Sequence, residues 1–268
     1  MLGGLRMTTL HRETNPIVGI FVSLVSLLSA STALAATTWD FRTGASGISQ
    51  TVVGSAWGNT RTFTIGSDSV AVTAWADDGT VPAMSYRTAH SGQYDTGLGI
   101  CNRSEAIVAG SLALCDQDGG VRDQVDNVGN NDFMLFVFSS AQTMQSITID
   151  PYGAFDRDVS YWVGNVSGTI NLTGLTVANL AGLGFGPQTD SFNGIGDPPL
   201  TINLGNVTGN AILFSAVFPP NANADKFKIQ SMVTTPTTNV VPVPAALWLF
   251  ASALGALSAA RSRILKTR

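Results

Sequence analysis

Residues 133–138 read Phe-Met-Leu-Phe-Val-Phe, an unbroken apolar run with Asn-Asp before it and Ser-Ser after it. A short apolar run that is bounded by polar residues is typical of a strand buried on both faces. Such a strand needs further layers of structure to cover it. The run therefore predicts a central β-strand in the core of the protein.

The stretches around this run also have strand patterns. Residues 61–65 (RTFTI) and 69–75 (SVAVTAW) alternate apolar and polar side chains, and no window gives a long 3.6-residue period. Further strands are predicted at 145–149, 159–163, 168–173, 200–204, 211–218 and 226–232, and a long Gly-rich loop at 178–199. The pattern predicts an all-β protein, with a single jelly-roll-like β-sandwich over residues 36–232 and a Thr-rich linker at 233–240.

Composition excludes several classes of protein. Only 12% of the 268 residues are charged, and two cysteines are too few for a disulfide-dense miniprotein or a four-thiolate zinc site. Without its two terminal segments the chain keeps eight Lys and Arg against seventeen Asp and Glu, so the central domain is near −9. This charge argues against nucleic acid as a partner and disfavours anionic polymers.

The N-terminal segment has the pattern of an export signal. An apolar run at 17–30 follows two arginines and is followed by Ala-Leu-Ala. Small residues at alternate positions fit the narrow pockets of signal peptidase. The pattern predicts a signal peptide at 1–35, with Ala33, Ala35 and Ala36 at the cleavage site; the alternative is a buried helix.

The C-terminal segment has a different apolar run. Residues 243–260 carry no charge over 18 residues, and at ~1.5 Å per residue a helix of this length spans about 27 Å, enough for a bilayer core. Four cations follow the run within eight residues: Arg261, Arg263, Lys266 and Arg268. Because positive charge stops transfer, we expect a transmembrane helix in the inner membrane with its C-terminus in the cytoplasm.

An extended motif precedes this helix: Val241, Pro242, Val243, Pro244 and Ala245. Two prolines at alternate positions block helix and keep the backbone extended, which suits a protease cleft. The arrangement over 241–268 resembles the PEP-CTERM class of sorting signals in its Val-Pro-x-Pro-Ala variant. The resemblance implies a Gram-negative bacterium, an exosortase-like sorting protease that removes the tail, and a final place at the cell surface or outside the cell.

A second resemblance covers the central domain, roughly residues 39–235. It rests on five stretches, at 97–103, 124–129, 132–138, 149–153 and 158–164. Together they are similar to an exosortase-dependent surface protein family. That resemblance implies a surface protein without an assigned catalytic activity.

The two cysteines, Cys101 and Cys115, both follow the export signal. Because the bacterial envelope is oxidising, we expect them to form a disulfide. Closing a 15-residue loop stabilises a fold by about 3 kcal/mol in the chain-entropy model. The alternative is a pair of unpaired, buried thiols.

The acidic segment 116–132 (DQDGGVRDQVDNVGNND) is rich in oxygen ligands. Carboxylate and amide oxygens favour Ca²⁺, and we predict a calcium site around Asp126, Asn127 and Asp132. The EF-hand order is not met. The alternative is that these residues are ordinary turn formers.

Catalytic signatures are weak, and the sequence predicts no catalytic residues. No G-x-S-x-G elbow occurs, and His90 is the one histidine of the central domain, expected in a loop. Asp126 and Asp156 would be a glycosidase pair only if they faced one cleft. We therefore predict a non-enzymatic surface or matrix protein.

The alternative to this prediction is a carbohydrate-binding module that recognises surface polysaccharide. In such a module, an exposed Trp39, Trp57 or Trp75 would stack on sugar rings. Aromatic residues on strands also serve as core residues, which is the competing interpretation of these three tryptophans.

Overall fold

A computed structural model describes residues 35–54, 57–80, 84–105, 123–151, 153–237 and 252–255. Its strands join in one sheet of thirteen strands, in which each strand-to-strand pairing described is antiparallel. The strands are β1 (Thr37–Asp40), β2 (Ser49–Val53), β3 (Thr60–Ile65), β4 (Asp68–Asp77), β5 (Tyr86–Thr88), β6 (His90–Tyr94), β7 (Gly97–Cys101), β8 (Val125–Asp126), β9 (Asp132–Pro151), β10 (Val159–Gly164), β11 (Thr189–Ser191), β12 (Leu200–Ala216) and β13 (Lys226–Pro236). The all-β prediction is confirmed.

The sheet has two arms, one around β4 and the first part of β9 and the other around β13 and the second part of β9, and the long strands β9 and β12 run through both. The first part of β9 pairs with β4 and with the end of β12, whereas its second part pairs with β13 and with the start of β12. Register shifts in β12 fall between Asn203 and Val207 and between Gly209 and Ala211. Gly205 and Asn206 take positive φ values of 74° and 56° there, which bends the strand as a bulge does.

The two arms pack against each other around one apolar core. Trp39 in β1 lies 5.8 Å from Phe138, and Phe41 lies 5.1 Å from Phe63 and 5.3 Å from Phe136, ring centre to ring centre. All of these rings are buried. Aromatic pairs at this spacing stabilise a core beyond their buried area.

The central run at 133–138 is buried on both faces, as predicted. Met134 and Phe136 belong to the core between the arms, whereas Phe133 and Leu135 belong to a second apolar cluster. Residues of segment 164–185, which includes the 3-10 helix Val177–Leu183, contribute to that second cluster. The alternation follows from the two-residue period of a strand.

Several predicted elements differ from the structure. The pairs of strands predicted at 133–138 and 145–149, and at 200–204 and 211–218, are each one continuous strand. The strand predicted at 168–173 is wrong, because these residues lie in an irregular segment outside the strands. The loop predicted at 178–199 contains most of the 3-10 helix and all of β11, and His90 begins a strand instead of lying in a loop.

The predicted linker at 233–240 is wrong in its first part, because β13 continues to Pro236. Thr234 is buried, and its hydroxyl accepts a hydrogen bond from the Trp39 indole at 3.0 Å and donates one to Gln142 at 3.0 Å. β-branched threonine fits a pleated, half-buried strand. Its frequency in this segment therefore reflects the last strand of the sheet.

Candidate functional site

The structure brings two of the three predicted calcium ligands together. Asp126 ends β8 and Asp132 begins β9, and their carboxylates lie with that of Glu105 so that one oxygen of each is within 4.8 Å of the others. Asn127, the third predicted ligand, makes side-chain contacts with a different acid. Its side chain donates a hydrogen bond to Asp225 at 2.5 Å instead.

This first acidic cluster, Glu105, Asp126 and Asp132, is organised by Asn102 and Lys226. Asn102 donates its side-chain amide to Asp132 at 3.1 Å and its backbone amide to Glu105 at 2.8 Å. The Lys226 ammonium lies 3.4 Å from Asp126. Two of the three carboxylates, Asp126 and Asp132, are almost completely buried, and the ion pair of Lys226 engages Asp126.

Burial has a large effect on the protonation of this cluster. Desolvation raises the pKa of Glu105 to about 8, and the charge of Asp126 acts in the same direction. Desolvation also raises the pKa of Asp126 and, together with the charge of Glu105, raises that of Asp132. Such a group of acids either keeps protons or takes up a cation. The calcium prediction stays a prediction.

A second acidic cluster consists of Asp156, Asp158 and Asp225, and all three side chains are buried. Backbone amides and asparagines satisfy the carboxylates: Asp158 accepts from the Asn193 amide at 2.6 Å, and Asp225 accepts from the Asp158 amide at 2.9 Å. Desolvation raises the pKa of Asp225 to about 7, with the charges of its two neighbours adding to it. Of this cluster, the sequence singles out Asp156 but not Asp158 or Asp225.

The two clusters meet along the pairing of β8 with β13. Lys226 lies opposite Asp126 in this pairing. Asp225 precedes Lys226 and Asn127 follows Asp126, and these two neighbours are hydrogen-bonded to each other. Asp126 and Asp156 therefore belong to separate buried clusters. They do not face each other across one cleft, as a glycosidase pair would require.

The three tryptophans considered for sugar stacking have different environments. Trp39 and Trp75 are buried in the two apolar clusters at 0% and 5% exposure, so neither is available to a ligand. Trp57 is half-buried, and the guanidinium of Arg103 lies 5.3 Å from the centre of its ring. Of the three, Trp57 alone keeps a surface for a ligand.

A polar pocket of about 210 Å³ lies beside Arg103. The end of β4, strand β5, the turn after β7 and the residue Asn130 form its walls. Its charged and polar lining includes Asp78, Arg87, Thr88 and Arg103. A pocket with several convergent polar groups is where a small ligand is expected to bind.

Hydrogen bonds fix the walls of this pocket. Asp78 accepts from the hydroxyls of Thr80 and Ser85, both at 2.6 Å, and these bonds hold its pKa well below the usual range. The Arg87 guanidinium lies 3.7 Å from the ionised Asp78, and its side chain is 55% exposed. Arg103 donates to the Thr88 hydroxyl at 3.2 Å. Both arginines therefore have a partner on the wall of the pocket.

The remaining predicted site residues lie partly outside the described part of the chain. Cys101 is buried at the end of β7 and Cys115 lies outside, so the disulfide stays a prediction. Ala35 and Ala36 are exposed before β1, whereas Ala33, the motif at 241–245 and the cations at 261–268 lie outside. Of the predicted span at 243–260, only 252–255 are described. Among the described residues, no helical segment has the length and apolar character to span a bilayer.

Comparison with family models and with curated proteins found no match to this sequence.

Proposed function

We propose that the protein is a non-enzymatic surface or extracellular-matrix protein of a Gram-negative bacterium. Signal peptidase cleaves it during export, and an exosortase-like protease then removes its C-terminal tail from the inner membrane. The observation that carries this proposal is the sequence of residues 241–268, in which a Val-Pro-Val-Pro-Ala motif, an uncharged run and four cations follow one another. The exposed Ala35 and Ala36, ahead of β1, support the N-terminal cleavage.

The described domain fits display on a surface. We assign it as a single jelly-roll-like β-sandwich, on the grounds that its two arms share one core and that β9 and β12 pass through both. The domain is acidic, which favours solubility outside the cell.

The test of the sorting proposal is the double substitution Pro242→Ala with Pro244→Ala, expressed in the native host. Alanine allows the apolar helix to continue through the motif, so the protease loses its extended substrate. The precursor should accumulate in the inner membrane, larger by the mass of the tail. Pro198→Ala with Pro199→Ala, two prolines of the central domain, is the matched control. Normal trimming of the motif variant would refute the proposal.

A second candidate function, carbohydrate binding, is favoured by the half-exposed Trp57 next to the polar pocket. An aromatic ring beside fixed hydrogen-bonding groups is a common arrangement for sugar recognition. A glycan array tests it. Trp57→Ala should abolish any signal, whereas Phe192→Ala, which removes another exposed aromatic ring, should leave it unchanged. Equal loss in both variants, or no signal for the wild type, would contradict this function.

A further inference from the structure

The pocket beside Arg103 is lined by an unusual share of the cations of this acidic domain, together with Asp77 and Asp78. The described residues include seven Lys and Arg side chains, of which five lie outside the lining of this pocket and contact protein oxygens at 2.5–3.4 Å. These five are Arg42, Arg61, Arg157, Lys226 and Lys228. Arg87 and Arg103 both line the pocket instead, with protein contacts of 3.2–3.7 Å. Two of the seven cations therefore converge on one cavity.

Two acceptor groups of the same walls, on Asp78 and Asn102, already accept hydrogen bonds from the protein. Asp78 accepts hydrogen bonds from Thr80 and Ser85 on its two oxygens. The side-chain carbonyl of Asn102 accepts from the amide and hydroxyl of Ser104. The guanidinium groups, in contrast, each present five N–H donors. A ligand that complements these walls must supply acceptors.

The geometry favours a carboxylate as that acceptor. The planar guanidinium fork matches two carboxylate oxygens, and charge-assisted bonds of this kind are about twice as strong as neutral ones. Trp57 adds an apolar platform next to Arg103, which suits the C–H face of a sugar ring. At ~30 Å³ per water, the cavity of about 210 Å³ has room for about seven waters, so it accommodates one small ring.

We propose that the pocket binds a single acidic sugar residue, whose carboxylate meets Arg87 and Arg103 and whose ring lies against Trp57. The inference rests on the carbohydrate-binding function proposed above and specifies its site and its ligand. The domain's charge near −9 repels a polyanion over about 10 Å at 0.1 M salt. The pocket therefore selects one acidic residue on an otherwise neutral chain.

The test compares methyl glycosides that differ only at C6: glucuronide with glucoside, galacturonide with galactoside, and mannuronide with mannoside. Binding to the full-length chain, in mild detergent at fixed ionic strength, is measured by ligand-observed NMR. We expect at least one acidic member to bind about tenfold or more tightly than its neutral partner. This difference corresponds to one hydrogen bond to a charged group, at about 1.5–3 kcal/mol.

Arginine variants locate the site. Arg87→Gln should weaken binding of the acidic glycoside about tenfold or more, and Arg87→Lys should restore part of it. Arg42→Gln is the matched control, because its side chain is 47% exposed and pairs with Asp40 outside this pocket. Equal effects of Arg87→Gln and Arg42→Gln would overturn the site. Unchanged melting temperatures show that each variant is folded.

The other outcomes separate this inference from the function on which it rests. Equal binding of neutral and acidic glycosides overturns the acidic ligand, while carbohydrate binding stands. If none of the six glycosides binds but the glycan array gives a signal, this inference alone is overturned. If neither experiment detects binding, the carbohydrate-binding function is overturned as well. Acetate or inorganic phosphate that competes as well as the acidic glycoside would show a general anion site and overturn the sugar assignment.

Discussion

Raising the pH from 5.5 to 8.5 in the presence of a chelator should destabilise the fold. The reason lies in Asp225, which is fully buried and whose pKa burial raises from 3.8 to about 7. In the unfolded chain this carboxyl returns to its ordinary pKa and is ionised across the whole interval. The folded protein therefore binds one more proton at pH 5.5, and its stability falls as the pH rises toward 7.

The magnitude follows from the size of the interval. One unit of pKa difference corresponds to about 1.4 kcal/mol, so the interval from pH 5.5 to about 7 removes about 2 kcal/mol through Asp225. Glu105, raised to about 8, acts in the same direction. The pKa values of Asp40 and Asp78 are lowered, so these two groups affect stability only at a more acidic pH than the range chosen here, and with the opposite sign.

The assay is urea unfolding at pH 5.5, 7 and 8.5, for the wild type and for Asp225→Asn. The variant removes this titration, so the pH-dependent loss should shrink by about 2 kcal/mol, whatever its effect on absolute stability. Asp197→Asn, which removes an exposed carboxylate, is the control for charge alone. A wild-type stability that is flat or rises over this range would refute the role assigned to burial.

Three further expectations concern the disulfide, the metal and the core. Exported protein should yield a linked peptide containing Cys101 and Cys115 under non-reducing mass spectrometry; two freely alkylated thiols would contradict this. Calcium, if it binds at the first acidic cluster, should stabilise the fold by roughly 2.7 kcal/mol at 100 times Kd, and identical melting midpoints with calcium and chelator would remove the site. Phe136→Ala should lower the free energy of unfolding in urea by about 3–5 kcal/mol, because the ring is fully buried. The control Val52→Ala, at a half-exposed side chain, should change it by no more than about 0.5 kcal/mol. A loss under about 1 kcal/mol for Phe136→Ala would be inconsistent with this packing.

The core strand was predictable because its signal is local. The run at 133–138 carries its own pattern, and both of its faces are buried. The continuity of β9 and β12 was not predictable, because Ser139 and Ser140, and likewise Gly205 and Asn206, have the composition of turns. In the structure these residues lie within bent strands whose partners are distant in sequence.

The acidic clusters depended even more on distant pairing. Asp126 and Asn127 are neighbours in sequence, but successive side chains at a strand point in opposite directions. Asn127 consequently meets Asp225 instead of Asp132. The sequence around Glu105 and Asp225 does not indicate that each joins an acidic cluster. The turn after β7 brings Glu105 to the first cluster, and strand pairing brings Asp225 to the second. The sequence also did not decide whether Trp39 and Trp75 are core residues or exposed ones, because the burial of a strand residue depends on which distant segments cover it.

The shared strands β9 and β12 also determine how the protein opens. Neither arm can separate from the other while these strands stay paired, so the domain lacks a boundary along which half of it would unfold alone. We expect the amides of Val137 and Ile147, in the two parts of β9, to exchange with solvent at the same free energy. A clearly lower value for either would show two separate units. Outside a cell, where proteases attack partly opened chains, this single cooperative unit would give them few intermediate states to cleave.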